Sequence, residues 1–273
     1  VYNRTLSSTE IGELYQTGID FHSGLIGYYP FNGDADDESG NRKHGHVNSA
    51  VLTEDRFGNM NRAYRFDGVD DFIEISDFGD IPDTFTISLW IKPNTYGKPA
   101  NLHNQRLWYW YDGTSRWQSI LSEGEKFRFG KENSSNIGID CSTRPPLNKW
   151  TMVTMTREGN NLKIYYNDEF QLVTPGTPGS PKGTIKAFFI GADHHSYENK
   201  MNGHFNGIID DIRIYDRALI ETEISGLYQT EHTIYSPYQG QVYTTGSSHR
   251  IQWSPMISGG RVNISISDES GAA

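Results

Sequence analysis

Between Gly33 and Asn41 the chain reads GDADDESGN, which places Asp34, Asp36, Asp37 and Glu38 within five positions. Crowded carboxylates on a turning backbone are the chemistry of a hard cation, because calcium takes about six to eight oxygens from carboxylates, amides, carbonyls and water. Gly33 and Gly40 supply the turns, and Ser39 and Asn41 add oxygens. The alternative is a solvated turn neutralised by Arg42 and Lys43. The spacing is not that of an EF-hand: Ser39 stands where the loop needs a glycine, and Gly45 where it needs the closing glutamate. A loop alone seldom completes a coordination shell, so distant carboxylates on strands matter. In GIIDDIRIY, Asp210 and Asp211 are expected on opposite faces of a strand. A carboxylate buried among Ile208, Ile209, Ile212 and Ile214 requires either a cation or an arginine. Asp70 and Asp71, behind Gly68, read as caps of a hairpin turn, with a second cation or an arginine partner as the alternative.

A different chemistry is offered by HNQRLWYWYDGTSRWQS, residues 103–119, where Trp108, Tyr109, Trp110, Tyr111 and Trp117 stand with Arg106 and Arg116. Strand alternation puts the two tryptophans of WYWY on one face and the two tyrosines on the other, so one pair packs inward and its opposite faces solvent or a groove. Exposed aromatic rings stack on the apolar faces of sugars while neighbouring polar groups bond the hydroxyls. On this reading Trp108, Trp110 and Trp117 contact a glycan, helped by Arg106 and Arg116; the alternative is an aromatic core. His194 and His195 are adjacent and diverge in a strand, so they cannot chelate one ion together; His194 is read as an imidazole beside the binding face. No G-x-S-x-G elbow, H-E-x-x-H pair or glycine-rich phosphate loop occurs.

The elements that must position these residues are strands. DTFTISLWIKP alternates Phe85, Ile87, Leu89 and Ile91 against Thr86, Ser88, Trp90 and Lys92, and WTMVTMTREGNNLKIYYND reads as two strands about a Gly159-Asn160-Asn161 turn. AYRFDG, DFIEI, KFRFG, FFIGA and NGIIDDIRIYD are further short strands, separated by Gly, Asn and Pro turns. This is the pattern of a two-sheet antiparallel sandwich. A net charge of −10 with no basic run argues against nucleic acid, and no apolar run is long enough for a membrane helix. Cys141 is the single cysteine, which excludes an intrachain disulfide and reads as a core thiol.

The chain also repeats itself. VYNRTLSSTEIGELYQT at 1–17 and IYDRALIETEISGLYQT at 214–230 align without gaps. We therefore expect residues 1–22 to be the end of a preceding copy, 23–230 to be one complete copy, and neighbouring repeats of the same chain to be possible partners. Ser7 with Glu10 forms a helix capping box, weakened in the second copy by Ile220. After Thr230 the texture changes, and 231–273 is expected to open a further small β-domain; SPYQGQVYTTGSSHRIQWS resembles the opening of small β-sandwich repeats in secreted proteins, which implies an extracellular module.

Taken in order, GYYPFNGDADDESGN, AYRFDGVDDFIEI, FTISLWIKP, NKWTMVTMTREGNNLKIYYND, FFIGAD and FNGIIDDIRIYDRALIETEISGLY resemble the laminin G-like jelly rolls of the concanavalin A-like superfamily, found repeated in large bacterial surface and secreted proteins. The resemblance covers about 23–230 and implies an all-β, two-sheet antiparallel jelly-roll sandwich. It implies a structural calcium near Asp37 and Asp210, with Asn41 and the carbonyl of His44 as further ligands. It also implies an extracellular module that binds a glycan or polysaccharide, or alternatively a spacer or protein-adhesion module without sugar binding. The E-x-D-x-E strand of glucanases with this shape is absent, so no enzyme activity is expected. The segment from Asn94 to Trp117 departs from the short connection usual in the family and is the expected seat of individual function.

Overall fold

The computed structural model describes residues 20–96, 104–111, 116–122, 126–132, 137–175, 184–195, 200–230, 234–236 and 252–253. Period-two alternation runs through the stretches marked above as strands, and they assemble into two antiparallel sheets. One runs in the order β13 (Glu169–Pro175), β12 (Asn161–Tyr166), β11 (Thr151–Glu158), β6 (Phe85–Pro93), β17 (Asn206–Tyr215), β4 (Ala63–Asp67) and β3 (Val51–Thr53), with β1 (Leu25–Tyr29) also paired to β17. The other runs β10 (Ile137–Cys141), β9 (Phe127–Glu132), β8 (Arg116–Leu121), β7 (Gln105–Tyr111), β14 (Ile185–Ile190), β5 (Phe72–Gly79) and β2 (His46–Asn48). The expected all-β jelly-roll sandwich is the observed fold.

The core lies between the sheets. Phe85, Ile87, Leu89 and Ile91 of β6 all point inward and are fully buried, as their alternation requires. Each such side chain contributes roughly 1.5–3 kcal/mol by leaving water. Cys141 is a buried free thiol at the edge strand β10.

Trp90, on the opposite side of β6, is buried by a different partner. With Met152, Tyr165 and Tyr215 it forms a second apolar cluster on the outer face of the first sheet. Helix α1 (Glu221–Thr230) and the turn before it seal this cluster with Leu219, Ile224 and Leu227, and Tyr228 stacks on Trp90 at 5.8 Å. At the helix start Glu223 reaches back to accept the Ile220 amide at 2.9 Å, half of a capping box. Arg217 pairs with the same carboxylate at 2.8 Å and holds it over the helix start.

A short hairpin, β15 (Asp193–His195) with β16 (Lys200–Asn202), joins β14 to β17. Its base is tied to β7 by close backbone contact. The Gly191 amide bonds Leu107 O at 3.0 Å, and Gly203 O accepts the Arg106 amide at 2.7 Å. Gly203 has φ +62°, and a Cβ there would stand 2.7 Å from Asn104 O. Gly203→Ala is therefore expected to displace the hairpin and to cost about 1–3 kcal/mol, read from a urea melt.

The chain divides into two compact units, Val1–Tyr228 and Gln229–Ala273. In the second, β18 (Ile234–Ser236) pairs antiparallel with β19 (Gln252–Trp253). The first copy of the repeat, with Ser7 and Glu10, lies outside the described residues, as does the side chain of His195. Among the described residues, no helix is long and apolar enough to cross a membrane.

Candidate functional site

Strands β7 and β8 decide which aromatic face is available. Trp108, Trp110 and Trp117 point into the sandwich and are at most 1% exposed. Trp108 and Trp110 stack at 4.8 Å, Trp110 and Trp117 at 6.0 Å, and the Phe85 ring meets Trp110 edge-on at 5.2 Å. The reading of these three tryptophans as a sugar platform is thus corrected: they are core. The largest apolar surface on a strand goes to the side that removes most of it from water, and here that side faces the opposite sheet.

The same alternation turns the tyrosines outward. Tyr109 lies opposite Gln118 and Tyr111 opposite Arg116 in the β7–β8 ladder. A slip of register at Leu107 keeps Arg106 on this outer side, where its Nε donates to Gln118 Oε1 at 2.6 Å. The guanidinium also pairs with Asp193 Oδ2 of the hairpin at 3.1 Å and donates to Asn104 O. The next hairpin residue, His194, stacks on Phe189 of β14 at 5.7 Å with an angle of 11° between rings. Phe189 in turn lies opposite Tyr109, ring centroids 6.2 Å apart. Arg106, Arg116 and His194 are therefore brought to one face, together with Tyr109, Tyr111, Phe189 and Gln118. Of these, Tyr111 is 38% exposed and Arg116 and His194 are half-buried, whereas Arg106, Tyr109, Gln118 and Phe189 are buried. Such a face can stack a ring and bond hydroxyl groups beside it.

The acidic loop is organised by hydrogen bonds. Asp37 Oδ1 accepts the amides of Tyr28 and Ser39, both at 2.9 Å, and Oδ2 accepts that of Lys43 at 3.0 Å. His44 Nδ1 lies 3.0 Å from Asp36, and the Asn41 amide donates to Ser39 Oγ at 3.0 Å. Burial works against ionisation of Asp37, but the hydrogen bonds from Ser39, Lys43 and Tyr28 prevail and hold it below the ordinary carboxylate range. Its stabilisation is complete above the unfolded-state value and is lost as pH falls through the lower folded value. Asp37→Ala is expected to cost about 1–3 kcal/mol at pH 7, and less at pH 3, in urea melts at the two pH values.

Asp210 is bonded by an arginine from the loop after β3. A bulge at Asp211, whose φ is +46°, breaks the alternation of β17 and turns both carboxylates toward Arg56. Arg56 bonds Asp210 through one nitrogen and Asp211 through another at 3.0 Å, and Arg213 pairs with Asp211 at 3.1 Å. Two guanidinium groups thus balance two buried carboxylates. Of the two partners left open for Asp210, the structure supplies the arginine, and the expectation that the aspartates face apart is corrected by the bulge. Burial pushes the Asp210 carboxyl up, against the pull of Arg56. Arg56 carried no sequence signal: it sits in the loop after β3, 154 residues from Asp210.

Among the described residues, Asp67, Asp70 and Asp71 form a group of three carboxylates whose oxygens lie within 4.8 Å of one another. Asp71 accepts the Asp67 amide and Asp67 that of Val69, each at 2.7 Å, which is turn capping.

No curated protein matches the chain. Domain 4 of AbnA, an extracellular GH43 arabinanase from Geobacillus stearothermophilus solved with arabinotriose, superposes with TM-score 0.61 at 20% identity, over 76% of this chain and 99% of that one. The binding domain of botulinum neurotoxin DC, solved with rat synaptotagmin II, superposes with TM-score 0.60 at 17% identity, over 77% of this chain. The present chain spans about half of that binding domain, 52% of its length. The binding domain of Paraclostridial Mosquitocidal Protein 1 gives TM-score 0.58 at 18% identity, covering 77% and 53%. These likenesses concern the fold. The family model described as the concanavalin A-like lectin/glucanases superfamily, of laminin G type, matches residues 67–225, more than half of the chain. By that match and by its two-sheet jelly roll, the chain belongs to the laminin G-like family of the concanavalin A-like lectin/glucanases superfamily.

Proposed function

We propose that the sandwich is a non-catalytic, extracellular carbohydrate-binding module that receives its glycan on the outer face of the second sheet. The observation that carries this is the exposed Tyr111 ring beside Arg116, with the half-buried His194 stacked on Phe189 on the neighbouring hairpin and strand. A ring platform flanked by hydrogen-bond donors is what a sugar requires. The arabinanase domain solved with arabinotriose supports the reading by showing a sugar held on a module of this shape. Protein adhesion without sugar binding is the competing role, as the toxin binding domain with its protein partner illustrates.

A glycan array followed by calorimetry separates the two. Tyr111→Ala and Arg116→Ala are each expected to weaken binding about tenfold while moving Tm by less than about 2 °C. An array with no hits, run with and without calcium, would give the lead to the adhesion reading. Calcium is a separate arm of the same experiment. With Asp210 facing Arg56 and Asp37 facing backbone amides, equal melting temperatures are expected in calcium and in chelator. A rise of several degrees in calcium would return a cation to the acidic loop.

A further inference from the structure

We infer that Asp193 and Asn202 form a receptor for one hydroxyl group of a neutral sugar; this rests on the outer-face reading above and names the polar contact within it. The two residues are directly opposed in the β15–β16 ladder, and each is 7% exposed. Asp193 is held through Oδ2 by Arg106 at 3.1 Å, and Arg106 is itself held by Gln118 and Asn104. Its other oxygen, Oδ1, has no hydrogen-bond partner, and neither has Nδ2 of Asn202.

An unpaired buried acceptor and an unpaired buried donor on directly opposed residues are a cost that folding alone does not recover. A hydroxyl group donates and accepts at the same oxygen, so one hydroxyl satisfies both atoms at once. An anion cannot, because it would meet the Asp193 carboxylate; the complementary ligand is therefore a neutral polyol ring rather than an acidic sugar. Arg106 acts as a positioning residue that fixes which oxygen of Asp193 is offered. The stacked rings of His194 and Phe189 place an aromatic surface next to the pair.

The test uses the full chain, labelled with nitrogen-15, titrated to millimolar levels with arabinotriose, galactose, glucose and N-acetylglucosamine. The side-chain amide resonances of Asn202 are expected to move with the sugar that binds. Asn202→Ala is expected to lower its affinity about tenfold while leaving Tm equal or higher, since the donor removed has no partner in the free protein. Asp193→Asn, which keeps the shape and removes the charge, is expected to weaken the same sugar. If a sugar shifts Tyr111 and Arg116 but leaves the Asn202 amide unmoved, with Asn202→Ala affinity within about twofold, the pair holds an ordered water only. The inference is then overturned and the outer-face reading stands. If none of the four sugars moves any outer-face resonance and the array is silent, both fall.

Discussion

Replacing Arg56 with methionine is expected to destabilise the sandwich by about 3–5 kcal/mol, because a buried ion pair that loses one partner leaves an uncompensated charge. For a domain of this size that is a fall in Tm of roughly 10 °C or more. The cause is local. Asp210 and Asp211 both face the guanidinium from inside the sheet, and Arg56 also lies over the Trp90 ring at 4.9 Å. Its loss removes charge balance and packing together. The deficit has a definite pH dependence. Burial already raises Asp210, and without Arg56 it rises further. A carboxyl raised in the folded state contributes stability below its unfolded value and loses it as pH climbs through the folded one. The variant should therefore lie closer to wild type at pH 5 than at pH 8, in thermal melts at both values. Asp210→Asn combined with Arg56→Met should recover part of the loss, which a double-mutant cycle measures. A change in Tm below about 2 °C, or rescue of the single variant by calcium, would show that Asp210 answers to a cation instead.

Trp110→Ala is expected to cost about 3–5 kcal/mol while leaving glycan affinity per folded molecule unchanged. The indole is fully buried among Trp108, Trp117, Phe85 and Phe188, so truncation opens a cavity that four aromatic neighbours cannot collapse to fill. Trp110→Phe should cost less, on the order of 1–2 kcal/mol. Its Nε1 has no hydrogen-bond partner, so no bond is lost with it. Calorimetric melts and binding measured at a temperature where all variants are folded test this pair. Lost affinity at unchanged Tm would restore the tryptophans to the binding face.

The two results address the places where sequence reasoning and structure part. WYWY announced a strand with two aromatic faces, and that was correct. Alternation specifies that neighbours point apart, but it carries no label for inside. The label comes from the opposing sheet: Phe85, which meets Trp110 and Trp117, is brought there by β6 from the other layer. The acidic loop shows the same division. The place of Asp37 in a turn marks it as an organiser of that turn, and its carboxylate bonds three backbone amides there. An apolar strand requires a partner for Asp210, and Arg56 supplies it. The identity of that partner required contacts spanning 154 residues, which no local pattern carries.

The information legible along the chain is local and periodic. The strands, their turns, the buried side of β6 and the closing helix follow from side-chain period and turn chemistry, which act within a few residues. What the tertiary structure alone decided is which of two equivalent faces meets the second layer, which arginine balances the β17 carboxylates, and that Asp193 and Asn202 share a hairpin over Arg106 with an acceptor and a donor unpaired. Those outcomes depend on the packing of one sheet against another and on a bulge at Asp211, and both arise from contacts between segments far apart in the chain.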